Sequence, residues 1–176
     1  MADIPLNLSI PQIEQRKIQA ELLIPLVKAF QAELGEERAN QIVRRALDLA
    51  ARRRGEAARS LLPGNPVEKV AAGLPFFSAG GALDVEVLKQ TSEAFEFNVT
   101  GCRYAEFYKE LGELELGFLL SCGHDFAQAQ GLSPDLELTR TQTIMQGAGH
   151  CDFRYRLTKR DISGSRPLPA RPENPR

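Results

Sequence analysis

The first third of the chain shows a helical pattern of apolar and polar positions. Apolar side chains recur at every fourth residue: Ile18, Leu22, Leu26, Phe30 and Leu34. Because residues four apart share one side of a helix, this spacing predicts a helix over residues 13–34 that turns the stripe toward a core. Pro25 predicts a kink within that helix.

A second amphipathic helix is predicted after Gly35, with arginines opposite its apolar face. The apolar face comprises Ala39, Ile42, Val43, Ala46, Leu47 and Ala50, and the arginines are Arg44, Arg45, Arg52, Arg53, Arg54 and Arg59. Acidic residues are interspersed among these arginines. We therefore interpret them as a solvated outer face and not as a nucleic-acid-binding patch.

Beyond residue 82 the apolar pattern changes to period two. The stretches "ALDVEVLKQ" and "FEFNVTGC" predict strands, the second with Phe95, Phe97 and Val99 facing inward. Helices are predicted for "RYAEFYKEL" and "ELELGFLLSCGHDFAQAQG", and a closing hairpin for "LELTRTQTIM" and "CDFRYRL". The run "GLPFFSAGGAL", which precedes the first strand, predicts a loop because proline and glycine punctuate it.

These elements predict an α+β fold in which N-terminal helices pack on an antiparallel sheet of about four strands. Polar residues on both faces of "ELTRTQTIM" indicate that its inward side lines a small-ligand pocket. We expect one domain over residues 1–162, helical over 10–74 and mixed α/β over 82–158. A proline-rich tail is expected at residues 163–176.

Composition and charge narrow the range of partners. The chain has 22 basic and 23 acidic residues, so its net charge of −1 gives no general attraction to nucleic acid or to an anionic membrane surface. No apolar run approaches the roughly 20 residues that cross a bilayer, and the first residues lack the pattern of a secretory signal. We expect a cytoplasmic protein with neither kind of partner. The largely apolar helical half makes a homodimer reasonable.

Both histidines lie beside a cysteine in the sequence, but the predicted geometry separates each pair. On a helix Cys122 and Asp125 share one face while His124 points about 160° away, and in a strand His150 points away from Cys151. Three cysteines without paired spacing predict free thiols. With no Cys-x-x-Cys or His-x-x-x-His spacing, we predict neither a metal nor a cofactor. Simple core packing is the alternative for Cys122.

Four short motifs follow one another in the second half: Asn-Val-Thr-x-Cys, Cys-x-x-Asp, Arg-Thr-x-Thr and Cys-x-Phe-Arg. In this order, over residues 97–157, they resemble the L-2-amino-thiazoline-4-carboxylic acid hydrolase family. The resemblance implies hydrolysis of a cyclic isothiourea, L-2-amino-thiazoline-4-carboxylate, to N-carbamoyl-L-cysteine. The family also looks akin to small-ligand-binding 4-vinyl-reductase-like domains, which implies an α+β fold with an enclosed pocket.

Opening such a ring requires a nucleophile at the amidine carbon, a proton for the departing sulfur and a group that binds the carboxylate. We assign the nucleophile to Cys122, with Cys151 as its competitor and Cys102 third, and expect Asp125 to bind the cationic amidine and move protons. The predicted substrate-binding residues are Arg140 as carboxylate clamp, Asn98 and Thr143 as hydrogen-bonding groups, and Arg154. Pairing with a structural acid is the alternative for Arg140, and a solvated face for Arg154.

Two other functions fit the same residues. A non-catalytic ligand-binding or sensing domain would hold a small acid in the same pocket without turning it over. A metal-dependent hydrolase would hold an ion with the thiols and His150, and the ion would activate water.

Overall fold

A computed structural model describes residues 10–158 of the chain. The predicted proline-rich tail and the predicted end of the domain at residue 162 lie outside the described residues. In chain order the elements are α1 (Gln12–Leu34), α2 (Glu36–Leu61), α3 (Pro66–Ser78), β1 (Leu83–Gln90), β2 (Ala94–Cys102), α4 (Arg103–Glu110), α5 (Leu114–Gly117), a π-helical turn (Phe118–Cys122), α6 (Asp125–Leu132), β3 (Leu136–Thr139), a 3-10 turn (Ile144–Gln146) and β4 (Cys151–Leu157).

The four strands form one antiparallel sheet in the order β1-β2-β4-β3. This confirms the predicted α+β fold. In the centre of the sheet, Phe97 of β2 lies opposite Phe153 of β4, and Val99 lies opposite Cys151. Phe95, Phe97 and Val99 are buried, as their alternation predicts, because successive side chains of a strand point to opposite faces.

One hydrophobic core draws on both halves of the described chain. The helical half contributes Ile13, Val27 and Val67, while Phe97 and Tyr155 come from the sheet. Helix α3 packs on the sheet, and α2 packs against α6 and α1.

The apolar stripe of α1 does not face this core, which corrects the prediction. Leu22 is 75% exposed, and the other four members of the stripe are exposed as well. Four residues advance a helix by about 400°, so a stripe with this spacing drifts about 40° per step and winds around the helix. The buried line instead follows the seven-residue spacing of Ile13, Ala20 and Val27. The helix is continuous through Pro25.

The second helix follows its prediction more closely. Ala39 is buried, Val43 and Leu47 pack against the core, and the line continues to Ala51 and Gly55. Five of the six arginines are exposed, as expected for a solvated face: Arg44, Arg45, Arg52, Arg53 and Arg59. Arg54 is the exception, because it lies next to the buried line.

The predicted loop before β1 is wrong over residues 73–78, which form the second half of α3. Asn65 and Glu68 form a reciprocal capping box, and Pro66 occupies the first turn. These residues fix the start of the helix, which continues past Pro75. The helix ends before Gly80 and Gly81, which adopt positive φ angles of 73° and 69°.

Helices α2 and α6 touch backbone to backbone. A Cβ atom at Gly55 would overlap the carbonyl oxygen of Gln128 and the amide nitrogen of Leu132. Gly131 of α6 lies equally close to a carbonyl group of α2. The obstructing atoms belong to the main chain, so they cannot rotate away. Arg59 reinforces the contact by donating to the carbonyl oxygens of Leu132 at 3.0 Å and Gly131 at 2.8 Å.

We predict that Gly55→Ala lowers the free energy of unfolding by about 1–3 kcal/mol, because the added methyl group forces α2 and α6 apart. Gly73→Ala is the matched control, since its Cβ would meet only Leu62 Cδ1, at 3.7 Å. In that control the gain in helix propensity of up to about 1 kcal/mol should dominate. Urea unfolding of the two proteins measures both effects. Equal stability of the two variants would contradict a tight helix contact.

Candidate functional site

The main chain around Cys122 departs from a regular helix. The helix predicted over residues 113–131 is instead a short α5, a π-helical turn, a break at Gly123 and His124, and α6. Gly123 N donates to Phe118 O at 2.7 Å, a bond across five residues that widens the turn. Such turns are frequent at functional sites. Here the turn leaves the carbonyl oxygen of Cys122 available to a side chain from another element.

Arg140 supplies that side chain because the strand before it ends early, at Thr139. This corrects the predicted long strand. The Asp152 carboxylate accepts hydrogen bonds from the backbone N–H groups of Thr141 and Gln142, both at 2.9 Å, and from the Thr141 hydroxyl at 2.7 Å. These amides are therefore unavailable to the sheet. The chain leaves the ladder after Thr139, and the side chain of Arg140 turns toward α6.

Arg140 forms a buried ion pair with Asp125. Its Nη1 atom donates to Asp125 Oδ2 at 2.5 Å, and its Nη2 atom donates to the Cys122 carbonyl oxygen at 3.0 Å. The Arg140 side chain is only 3% exposed. Three aromatic rings surround the guanidinium at 5.3–5.9 Å: Phe118, Phe126 and Phe153. The pair brings Cys122 and Asp125 together, although not on one regular helix as predicted.

Asp125 keeps one carboxylate oxygen free of this pair. Oδ2 receives the Arg140 hydrogen bond, whereas Oδ1 has no hydrogen-bond partner among residues 10–158. The side chain is 29% exposed. Burial raises the pKa of Asp125 to about 6, and the positive charges of Arg140, Arg16 and Arg54 oppose that rise. Asp125 is thus a carboxylate poised near neutral pH with one accessible oxygen, which suits a group that exchanges protons.

The three thiols are protonated at neutral pH. Burial raises the pKa of Cys122 well above its ordinary value, and the Asp125 charge raises it further. Burial also raises the pKa of Cys151, whose Sγ accepts a hydrogen bond from Ile144 N at 3.2 Å, and that of Cys102 to about 11. Ionisation of Cys102 or Cys151 would raise the pKa of Cys122 further. None of the three is a resting thiolate, so nucleophilic attack by any of them requires a proton acceptor or a cationic substrate.

Two arginines of the helical half also reach this region, and the sequence motifs did not identify them. The charge of Asp125 acts on both Arg16 and Arg54, and burial lowers the pKa of each guanidinium. Both remain protonated at neutral pH. A sequence signal exists for them. Arg16 lies three residues after Ile13, and Arg54 three after Ala51, so each interrupts a buried helix line.

His124 also belongs to this region, although the sequence analysis gave it no role. Its side chain is 3% exposed, and Nδ1 has no hydrogen-bond partner among the described residues. Burial lowers its pKa to about 3, with further lowering by the charges of Arg16, Arg54 and Arg140. The imidazole is therefore neutral at physiological pH. A buried polar atom left unpaired costs about 1–3 kcal/mol, which marks this position for a hydrogen-bonding ligand or an ordered water.

A family model described as L-2-amino-thiazoline-4-carboxylic acid hydrolase matches residues 15–155. The chain belongs to this family. The match begins in α1, so the family's sequence pattern includes the helical half that carries Arg16 and Arg54, in addition to the motifs of the second half. A search of curated proteins gives no significant match.

Among solved structures, this hydrolase-family chain is similar to the phenol-responsive sensory domain of the transcription activator PoxR, whose crystal structure was determined with phenol. The TM-score is 0.50 and the sequence identity 17%, over 77% of this chain and 72% of that chain. At this identity the likeness concerns the fold alone.

The substrate-binding residues predicted for this family member do not all meet at one place. Asn98 and Arg154 lie on the outer face of the sheet, opposite to Phe97 and Phe153, and they bind each other through Arg154 Nη2 and Asn98 Oδ1 at 2.9 Å. The sheet therefore separates them from Asp125, and their role in substrate binding stays a prediction.

The other predicted residues lie on the helix side. Thr143 is fully buried, and its hydroxyl group bonds Gln146 within the 3-10 turn. Cys151 lies on the inner sheet face, where the charges of Arg140 and Asp125 act on it. Arg140 pairs with Asp125, which matches the alternative given for it in the sequence analysis, pairing with an acid of the protein. Its role as a carboxylate clamp stays a prediction.

The described residues contain no group of three His, Cys, Asp or Glu side chains arranged to hold a metal ion. Over the same residues, no helix has the length and apolar character needed to cross a membrane.

We predict that Arg140→Met lowers the free energy of unfolding at pH 8 by about 3 kcal/mol, because it leaves a buried carboxylate without its partner. The loss should shrink as the pH falls from 8 towards 6 and then stay constant, because removal of the Arg140 charge raises the pKa of Asp125 further and the variant takes up its proton first. Arg156→Met is the control. Arg156 pairs with Glu96 on the surface with 62% of its side chain exposed, so the expected loss is under about 1 kcal/mol. Similar losses in both variants at pH 8 would show that the Arg140–Asp125 pair contributes no more stability than a surface pair.

Proposed function

We propose that this chain hydrolyses L-2-amino-thiazoline-4-carboxylate, or a closely related cyclic amidine acid, to N-carbamoyl-L-cysteine. The observation that carries the proposal is Asp125, a buried carboxylate that is held through one oxygen and accessible at the other, in a member of the family of that name. The hydrolase family supplies the reaction class, and the geometry of Asp125 supplies a group able to perform it.

The proposed reaction consumes one water. The oxygen atom of water becomes the urea oxygen at the amidine carbon, the bond between this carbon and the ring sulfur breaks, and the sulfur leaves as a thiol with one proton. The other proton of water is removed as the carbon–oxygen double bond forms. A base near the amidine carbon and an acid near the sulfur are therefore needed, and one carboxyl group can serve as both in succession.

Asp125 is the group we assign to these proton transfers. Its accessible Oδ1 can accept a hydrogen bond from an N–H group of the protonated amidine. We propose that this contact places the amidine carbon beside Cys122. Arg140 holds Oδ2 and so orients the carboxylate, and it lowers the Asp125 pKa that burial raises. We class Arg140 as a positioning residue, because its two terminal nitrogens are occupied by Asp125 and the Cys122 carbonyl group.

Cys122 is the nucleophile that we propose for a covalent route. Its sulfur would add to the amidine carbon, expel the ring sulfur as a thiol, and form an isothiouronium that water cleaves to the urea. The raised pKa of Cys122 means that the thiol loses its proton only in the complex, where the cationic amidine offsets the Asp125 charge. Without Cys122, Asp125 can still activate water directly, so the two routes share one base.

A ligand-binding sensory domain is the second candidate function. The fold likeness to the phenol-responsive sensory domain favours it, as does the protonated state of all three thiols. Such a domain would hold the same acid between the helices and the sheet without opening its ring.

We predict that the wild-type protein converts L-2-amino-thiazoline-4-carboxylate to N-carbamoyl-L-cysteine. Mass spectrometry of the products measures this. The kcat/KM value should rise about tenfold per pH unit up to pH 6 and then level off, because Asp125 must be ionised to act as a base. Asp125→Asn should reduce kcat/KM by about 10²–10⁴-fold. Glu110→Gln, a change of one exposed acid on α4, should have no effect. Tight binding without turnover in the wild-type protein would favour the sensory function instead.

A separate prediction concerns the thiols. Iodoacetamide at pH 7.5 should modify Cys122 and Cys151 far more slowly in the folded protein than in urea, because Cys151 is buried, Cys122 is half-buried, and both thiols are protonated. If the covalent route operates, Cys122→Ala should lose turnover while Cys151→Ala keeps it. Full activity in the Cys122→Ala protein would exclude attack by that sulfur and leave the water route.

A further inference from the structure

Arg16 and Arg54 lack an acidic partner in the described part of the chain. Arg54 makes no hydrogen bond to a described residue. Arg16 Nη1 donates to the amide oxygen of Gln19 at 2.8 Å, and Gln12, with its amide turned so that its oxygen faces Arg16, accepts from Nε and Nη2 at 3.2 Å. Both contacts of Arg16 are to neutral amides. Two cations on core-facing helix positions are thus left without a counter-charge.

The charges around the buried centre do not balance. Arg16, Arg54 and Arg140 bring three positive charges, and Asp125 is the one carboxylate among the described residues whose charge acts on Arg16 and Arg54. Asp125 is already paired with Arg140. Arg16 and Arg54 are half-buried. Uncompensated charge that is shielded from water is costly, so this excess of two cations indicates a place where an anion can bind.

His124 gives independent support for a ligand at this place. Its side chain is 3% exposed, and Nδ1 is unpaired among residues 10–158. The residue precedes Asp125 at the start of α6, and α6 is fixed to α2 by the close contact at Gly55, the neighbour of Arg54. That contact involves Gln128, one helical turn after His124, and the charges of both Arg54 and Arg16 act on the His124 imidazole.

We propose that Arg16 and Arg54 bind the carboxylate of a small-molecule ligand, that His124 Nδ1 completes its hydrogen bonding, and that Asp125 binds the cationic end of the same molecule. The ligand class is a compact zwitterion, with a carboxylate and an amidinium on one small ring. This inference locates the carboxylate subsite of the proposed function, with Arg16 and Arg54 in place of Arg140. It concerns binding, so it holds whether or not the ligand is then hydrolysed.

Calorimetric titration with a matched pair of probes tests the subsite. The probes are 2-aminothiazole-4-carboxylate and 2-aminothiazole, whose aromatic rings resist opening and which differ only in the carboxylate. The proteins are wild type, Arg16→Gln, Arg54→Gln and the control Arg45→Gln, which removes an exposed arginine from the same helix as Arg54.

We expect Arg16→Gln and Arg54→Gln each to weaken binding of the acid by about 10- to 100-fold, the loss of one hydrogen-bonded charge contact. Binding of the neutral probe should be unchanged, and Arg45→Gln should bind both probes as the wild type does. Equal weakening for the two probes, unchanged binding of the acid, or a wild-type protein that does not prefer the acid would each overturn the proposal. Because turnover is not measured, a failed hydrolase assay leaves this result intact.

Thermal unfolding without ligand provides a second readout. Arg54 is half-buried and without an acidic partner among the described residues, and the Arg16 charge repels it. Its removal should relieve this repulsion, so Arg54→Gln should melt at a higher Tm than Arg45→Gln. An arginine with a structural role would give the opposite sign. A lower Tm for Arg54→Gln than for Arg45→Gln would therefore overturn the assignment of Arg54 to ligand binding.

Discussion

The buried ion pair between Arg140 and Asp125 joins the end of β3 to the start of α6, and the arrangement of the candidate site depends on it. An ion pair in a protein interior is favourable only when the remaining hydrogen-bonding groups of its members are satisfied. Two local departures from regular structure satisfy Arg140. The π-helical turn leaves the Cys122 carbonyl oxygen free to accept, and the Asp152 side chain draws the chain after Thr139 out of the sheet.

The aromatic surroundings of this pair affect its chemistry. The rings of Phe118, Phe126 and Phe153 exclude water from the guanidinium and strengthen its interaction with Asp125. The same exclusion of water raises the pKa of Asp125 and of Cys122. Desolvation thus makes the carboxylate a better proton carrier and the thiol a weaker resting nucleophile. Proton transfer by Asp125 would distinguish the proposed hydrolase from a sensory domain of similar fold.

The helical half contributes Arg16 and Arg54 to the proposed ligand site. Close packing at Gly55 and Gly131 places α2 against α6, and α1 follows the same core. Arg16 and Arg54 occupy positions on these helices where an apolar residue would pack more favourably. The charges of both arginines act on His124, and the proposed anion would compensate them, since natural sites commonly trade stability for binding.

The sequence by itself determined the features that rest on local periodicity. The inward set Phe95, Phe97 and Val99 follows from strand alternation, and the α+β class follows from the order of the elements. The nearness of Cys122 to Asp125 also follows. The two residues are three positions apart, so a single turn keeps them close whether it is α-helical or wider. The family motifs lie in this same local information.

Only the tertiary structure decided which of several apolar lines on α1 is buried, because Ile13, Ala20 and Val27 and the rival stripe through Leu22 are both compatible with a helix. The Asp152 side chain ends β3 by binding residues 141 and 142, which are eleven and ten positions away. The strand propensities of β3 residues carry no information about such a contact. The meeting of Arg16, Arg54 and His124 is a third such case. Their positions are separated by up to about a hundred residues, and charges so far apart in sequence acquire a common role only when packing brings their helices together.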